Sequence, residues 1–248
     1  MLERIKEEIY KIESTGIKVL YACESGSRAW GFESKDSDFD VRFIYALPRE
    51  KYLTVYDFKD TMDFPIDDLL DLNGWDIKKA LQLFSGNNMS VYEWLNSPIV
   101  YHERDGFAEE IRKVQQDFFN PSRAIGHYLG TAKSTWNKHL TQSTFNIKKL
   151  FYALRPIMAC RWIIEYKTVP PVCFQDMLIE PLIGKEVSGR IDQLIDEKKF
   201  LTEKDSSSSY NDLRKFVDAQ MDEVSQMDVE RSGCNDKELI DELFRKFI

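Results

Sequence analysis

The sequence predicts an α+β protein: an N-terminal domain that mixes strands with helices, followed by a mostly helical domain. Two patterns carry that prediction. Short apolar runs with β-branched and aromatic residues, bounded by Gly, Pro, Ser and Asp, fall within the first hundred residues and read as strands. Beyond about residue 103, apolar residues recur at three-four spacing, the period of an amphipathic helix. The character changes near Pro98, so the domains are placed at residues 1–110 and 111–248.

Residues 1–15 read as a helix with Ile5, Ile9 and Ile12 on one face, ended by Gly16. The continuous apolar run Ile17 to Cys23 is a buried strand. Ser25-Gly26-Ser27 is a turn, and Arg28 begins a short helix. Asp40 to Leu47 is the second strand, closed by Pro48, and the alternation over Leu53 to Phe58 predicts a third. Asp60 to Asp68 is acidic and turn-rich. Leu69 to Leu72 is a short apolar run interrupted by Asp71, a further strand. Gly74 to Phe84 and Ser90 to Leu95 read as helices, with Asn87 and Asn88 as capping residues. Later helices are predicted over Ile125–His139, Lys148–Tyr166, Lys185–Lys199, Asn211–Val224 and Lys237–Ile248. Pro156 should kink or end the second of these. Pro170-Pro171 and Ser206 to Ser209 are breaks.

Composition narrows the class. The apolar share of 43% and aromatic share of 13% are ample for a packed core. No apolar run approaches the roughly 18 residues of a membrane-spanning helix. The opening MLERIKEEIYKIES is a charged amphipathic pattern rather than a signal peptide, so a cytoplasmic protein is expected. Cys23, Cys160, Cys173 and Cys234 lack zinc-ligand or redox spacing and read as reduced thiols. His102, His127 and His139 are too scattered for a histidine metal site. The net charge of −8 hides an asymmetry: Phe118 to Ile164 contains no Asp or Glu but seven Lys and Arg. Such a segment is either a local anion site or part of a helix bundle whose acidic partners lie elsewhere.

The chemistry concentrates in CESGSRAWGFESKDSDFDVRFIY, from Cys23 to Tyr45. In an extended strand, residues i and i+2 share a face, so Asp38 and Asp40 place two carboxylates together. A hard divalent cation relieves their repulsion and takes their oxygens as ligands. Alone, such a pair also fits a sugar-nucleotide transferase or a surface turn. The turn a dozen residues upstream sharpens the reading. Gly26 lets the backbone bend and approach a ligand. Ser27 adds a hydroxyl donor and Arg28 a positive charge. A helix starting there presents free N–H groups to a phosphate. In the later helix, Lys148, Tyr152 and Arg155 at i, i+4 and i+7 share one face. That face suits a triphosphate tail and a stacked base, or else carries exposed bases beside a buried Tyr. Trp75, Trp94, Trp136 and Trp162 read as core or domain-interface residues.

The strings GSRAWG, SDFDVRFIY, LDLNGWDIKKAL, YEWLNSPIVY and FYALRPIMACRWI resemble the bacterial predicted nucleotidyltransferase family of the DNA polymerase β-like superfamily. Its members include the RNA-ligase-associated polymerase β-like proteins. The resemblance implies a mixed sheet with flanking helices in the first domain. It implies a phosphate-binding turn at Gly26 and Ser27, a metal pair at Asp38 and Asp40, and a third carboxylate on a later strand. Asp71 is the first choice for that third group, with Asp68 and Asp76 as alternatives. It also implies two Mg²⁺ ions, one held by Asp38 and Asp40 and a second shared by Asp38, Asp40 and Asp71, with Mn²⁺ as a substitute, and transfer of a nucleoside monophosphate from an NTP, ATP first. The acceptor is a hydroxyl on an RNA end, a protein or a small molecule. Asp71 doubles as general base. The alternative is a nucleotide- or RNA-end-binding adaptor with little turnover.

Overall fold

In the computed structural model the described residues are 1–34, 37–65, 69–198, 206–229 and 231–248. The elements in order are α1 (Leu2–Ser14), β1 (Lys18–Glu24), α2 (Gly26–Ala29), β2 (Phe39–Ala46), β3 (Thr61–Asp63), β4 (Leu70–Asp76), α3 (Ile77–Ser85), α4 (Met89–Leu95), β5 (Val100–Glu103), α5 (Phe107–Phe118), α6 (Pro121–His139), β6 (Phe145–Asn146), α7 (Ile147–Tyr166), α8 (Glu180–Ile183), α9 (Lys185–Lys198), β7 (Ser206–Ser207), α10 (Asn211–Gln226) and α11 (Lys237–Phe247). The chain forms two compact units. One comprises Met1–Ala29, Asp38–Phe118 and Gly233–Ile248, the other Trp30–Ser37 and Phe119–Ser232.

The first unit is built on a five-stranded mixed sheet in the order β3-β4-β2-β1-β5. β2 and β4 run parallel and the other neighbours antiparallel. Ile5, Ile9 and Ile12 of α1 join Val19, Val41, Phe43, Tyr45, Leu70 and Leu72 in one apolar cluster. Each such side chain contributes roughly 1.5–3 kcal/mol of burial. Because strand residues alternate, covering Val41, Phe43 and Tyr45 with α1 leaves Asp40 and Arg42 on the opposite face of β2. β4 alternates just as strictly, with Leu70 and Leu72 buried and Asp71 and Asn73 only half-buried.

Several elements differ from the sequence reading, each for a local reason. Residues 53–58 are not a strand; after a 3-10 turn over Arg49–Tyr52 they run irregularly. Leu53, Val55 and Tyr56 stay exposed, so their alternation never met a face to bury. The edge position belongs instead to β3. The Leu69–Leu72 strand continues to Asp76, and the helix expected from Gly74 starts at Ile77, because Asp76 caps it by accepting from the Lys78 N–H at 2.8 Å. Gly74 is a strand residue for a steric reason: a Cβ there would lie 2.2 Å from the Phe43 ring. β5 and α5 were not anticipated as discrete elements.

The C-terminal α11, read from sequence as part of the second domain, belongs to the first unit. Phe247 packs edge-on to Phe107 at 5.0 Å and Phe244 to Tyr52 at 5.1 Å. Lys246 pairs with Glu110 at 2.7 Å. Its apolar stripe needs a cover, and α5 and α3 provide it.

Among its described residues, the regular structure of the second unit is helical apart from the short β6–β7 pairing. α6 and α7 pack along each other and α10 lies against both. α7 continues through Pro156 to Tyr166, so the proline does not end the helix. Among the described residues no helix is long and apolar enough to cross a membrane. All four cysteines are free thiols.

Candidate active site

Asp40 and Asp71 face each other across the parallel pair β2–β4, in direct register. Strands lie about 4.8 Å apart, so two carboxylates in register on one face sit close together. Asp38 precedes β2 by one residue and is exposed, while its backbone carbonyl accepts from Arg28 Nε at 3.0 Å. Asp76 lies five residues beyond Asp71, at the far end of β4. It is fully buried, receives the Tyr52 hydroxyl at 2.7 Å, and has its carboxyl pushed upward by burial. Its work is capping α3, not joining Asp40. Asp68 lies outside the described residues.

The turn after β1 fits directly onto this pair. Gly26 has φ +63°, and a Cβ there would come within 2.1 Å of Asp40 Oδ2. Both the conformation and the contact demand glycine. Backbone bonds lock the two together: Ser25 N–H donates to the Asp40 carbonyl at 2.8 Å, and Asp40 N–H donates to Glu24 Oε1 at 2.9 Å.

Glu24 is a residue the sequence reading passed over. It is fully buried, and burial raises its carboxyl above the usual range, against the lowering pull of hydrogen bonds from the Tyr101 hydroxyl and the Asp40 N–H. The available signal was a charged residue wedged between a buried apolar strand and a Gly-Ser turn.

Arg42 is the second residue missed. Its Nη2 donates to Asp71 Oδ2 at 2.7 Å and to Asp40 Oδ1 at 3.2 Å. Its Nη1 donates to the carbonyls of Asp71 at 3.0 Å and Val41 at 3.2 Å. The side chain is 18% exposed. The i, i+2, i+4 run Asp38, Asp40, Arg42 would have shown it on the same strand face.

Among the described residues, no three His, Cys, Asp or Glu side chains converge tightly enough to cage a metal ion unaided. The donor set still fits a shared ion: carboxylates that repel each other, already drawing a cation to themselves. Mg²⁺ normally completes its shell with waters and substrate phosphates.

The expected phosphate groups are placed less freely than the sequence implied. Ser27 is buried, and α2 is a single turn, too short for its peptide dipoles to sum appreciably. Arg28 stacks its guanidinium 3.9 Å above the Phe39 ring besides holding the Asp38 carbonyl, so it braces the Asp38–Asp40 segment.

Lys148, Tyr152 and Arg155 all lie on α7, in the second unit. Lys148 and Tyr152 are half-buried, and the Tyr152 ring meets Trp30 edge-on at 5.5 Å. Arg155, pictured from sequence reaching for phosphates, is 3% exposed. Its Nη2 donates to the Val172 carbonyl at 3.1 Å and its guanidinium lies 4.5 Å over Trp30. Burial commits it to packing. The basic run has acidic partners elsewhere in part: Arg161 donates to the Leu182 carbonyl at 2.6 Å and pairs with Glu223 at 3.7 Å.

The family model described as "RNA repair pathway DNA polymerase beta family" matches residues 1–246. An uncharacterized protein, YcgL, of Bacillus subtilis (strain 168) is 39% identical over 225 residues, which is 90% of this chain and 86% of that protein. A nucleotidyltransferase-like protein from Exiguobacterium sibiricum 255-15 aligns structurally over 98% of this chain and 75% of its own, at 10% identity and a TM-score of 0.33.

Proposed function

The chain belongs to the RNA repair pathway DNA polymerase beta family, and on that premise we propose that it moves a nucleoside monophosphate from an NTP to a hydroxyl of an RNA end. The observation that supports this best is the in-register Asp40–Asp71 pair with the Gly26 turn pressed against it. ATP is the first candidate donor. The acceptor oxygen bonds to the α-phosphorus, the bond from that phosphorus to the bridging α–β oxygen breaks, and pyrophosphate leaves with the electron pair.

Asp38 and Asp40 would hold a divalent cation, Mg²⁺ or in its place Mn²⁺, which supplies charge neutralisation for the triphosphate when bound. Asp71 takes the proton of the attacking hydroxyl at Oδ1, the oxygen that Arg42 leaves outside its pair. Gly26 keeps side-chain atoms away from the approaching phosphates, and Glu24 fixes the backbone that carries Asp40. An RNA end agrees with the family's description. The net charge of −8 disfavours broad duplex binding and is compatible with contact to a single end.

The test is incubation with each α-³²P-labelled NTP, Mg²⁺ or Mn²⁺, and separate pools of cellular RNA and protein, beside an Asp38→Ala/Asp40→Ala control. Label in RNA with the parent alone is the expected result. Label in the protein pool moves the acceptor to a side chain. NTP binding without transfer to either pool replaces the enzyme by a nucleotide-binding adaptor.

A further inference from the structure

The open face of the sheet does not end at the reacting carboxylates. Along β4, Asp71, Asn73 and Trp75 are half-buried, and the residues between them are buried. Strand residues two apart share a face and stand about 6.8 Å apart. Asn73 is therefore the next side chain beyond Asp71 on that face. Trp75 closes the row by packing on Trp94, with ring centroids 3.9 Å apart. Strand pairing puts Arg42 in register with Asn73 on one side and Asp63 on the other. Arg42 turns back to Asp40 and Asp71, whereas Asp63 accepts a hydrogen bond from Asn73 Nδ2.

The fold gives no reason for Asn73. Half-buried strand positions favour β-branched and aromatic residues and disfavour Asn. Among the described residues its side chain makes that one hydrogen bond, to a carboxylate that is 60% exposed and also lies 3.4 Å from Lys59 Nζ. A bond so exposed adds little stability. It does settle the amide. A carboxylate only accepts, so the nitrogen faces Asp63 and the carbonyl oxygen is turned away from it. One N–H and that oxygen are left, among the described residues, as a donor and an acceptor one step along the strand face from Asp71. A hydroxyl, which both donates and accepts, is the matching ligand.

We propose that Asn73 binds the 2′-hydroxyl of the RNA 3′-terminal ribose whose 3′-hydroxyl gives its proton to Asp71. This rests on the nucleotidyl-transfer reading above and narrows its acceptor to the 3′ end of RNA rather than of DNA. The two hydroxyls of that ribose stand on adjacent carbons. With a hydrogen bond of about 2.8 Å at each end, they reach across the two-residue gap from Asp71 to Asn73. A 2′-deoxyribose would leave the Asn73 amide without its partner, and the 2′-hydroxyl is the group by which a site tells RNA from DNA. Asp63 touches no substrate in this arrangement. It is a positioning residue that acts through the Asn73 amide.

The experiment follows transfer from α-³²P-ATP, with Mg²⁺ or Mn²⁺, to two short random-sequence RNA pools with 3′-hydroxyl ends. The pools are identical except that one ends in a 2′-deoxynucleotide. The full chain should use the ribose end about tenfold better in kcat/KM, the scale of one hydrogen bond in a partly exposed site. Asn73→Ala should bring that ratio close to unity by slowing the ribose end more than the deoxyribose end, with no rise in KM for ATP. Asp63→Ala should give an intermediate ratio. Asn73→Val, a residue favoured in strands, repeats the measurement if the alanine variant does not fold. Equal use of both pools by the parent, or an unchanged ratio in a folded Asn73 variant, overturns the proposal and leaves nucleotidyl transfer standing. A rise in KM for ATP would give Asn73 to the donor and overturn it as well. Label in neither pool overturns the RNA-end reading, and this proposal with it.

Discussion

Two arginines, one in each unit, make the most instructive comparison in this molecule. Arg42 sits on a sheet face and answers two carboxylates; Arg155 is buried in a helix and answers a carbonyl and an indole ring. By composition they are the same residue, and the helical one lies in the more basic stretch. What separates them is what they are packed against. A cation facing anions shapes the charge offered to a ligand. A cation sealed under aromatic rings holds a core together. A run of bases in sequence therefore says little about where a polyanion goes, while one arginine two residues from an Asp-x-Asp says a great deal.

The comparison is broken most directly by removing the anions. Asp40→Asn should lower the transfer rate by about 10³-fold, the scale for losing one preorganised charged group at a reacting centre, with the thermal midpoint little changed because the repulsion from Asp71 and the ion pair with Arg42 are lost together. Label transfer and a melting curve on the same preparation read both quantities. A parallel loss of rate and stability would mean that Asp40 is part of the scaffold. On the other side, Arg155→Ala should cost about 3 kcal/mol of stability, since the Val172 carbonyl loses its donor and Trp30 its packing partner. ATP affinity at a temperature where the variant is folded should move less than twofold. A tenfold weaker affinity in a folded variant would return Arg155 to the substrate and erase the contrast.

The unequal legibility of the two regions has the same root. The turn was readable because glycine's freedom is local: Gly26 must bend. Strand periodicity placed Asp40 on β2, whereas Asp38 precedes that strand and is exposed, so the rule that residues two apart share a face does not fix it beside Asp40. Asp71 was placed by a short apolar run and by resemblance. Its registration with Asp40 is a property of strand pairing, which no window of sequence contains. Arg42 was within the same run but was overlooked, because charge was weighed across segments rather than along one face. The burial of Arg155 was not legible at all: Trp30 and Val172 lie far from it in the chain and meet it only in the fold. Likewise the strand foreseen at 53–58 failed for lack of a neighbouring face, and α11 joined the first unit through Phe244 and Phe247. Gly26→Ala tests the legible part. Its Cβ would displace the Asp40 carboxylate and its φ would be strained, so a loss of about 10²-fold in transfer is expected with only about 1 kcal/mol of stability. Equal loss in both would assign the glycine to folding rather than to the site.

The smallest effect concerns the far end of β4, where Asp76 contrasts with Asp71 on the same strand. Asp76 is buried, and burial raises its carboxyl above the ordinary value of 3.8, with hydrogen bonds from Tyr52 and the Lys78 N–H pulling the other way. Between 3.8 and the raised value, the folded protein keeps a proton that the unfolded chain has lost. Stability from this group therefore falls as pH rises through that window and levels off above it. Asp76→Asn keeps the helix cap but has no carboxyl to ionise. The Tyr52 hydroxyl, which already accepts from the Leu47 N–H, loses its acceptor, at a cost of about 1 kcal/mol. In urea unfolding the variant should be the less stable protein near pH 4, and the gap should narrow toward pH 8. A gap of constant size across that range would mean that Asp76 ionises as an exposed carboxylate does, and that its capping hydrogen bonds fully offset its burial.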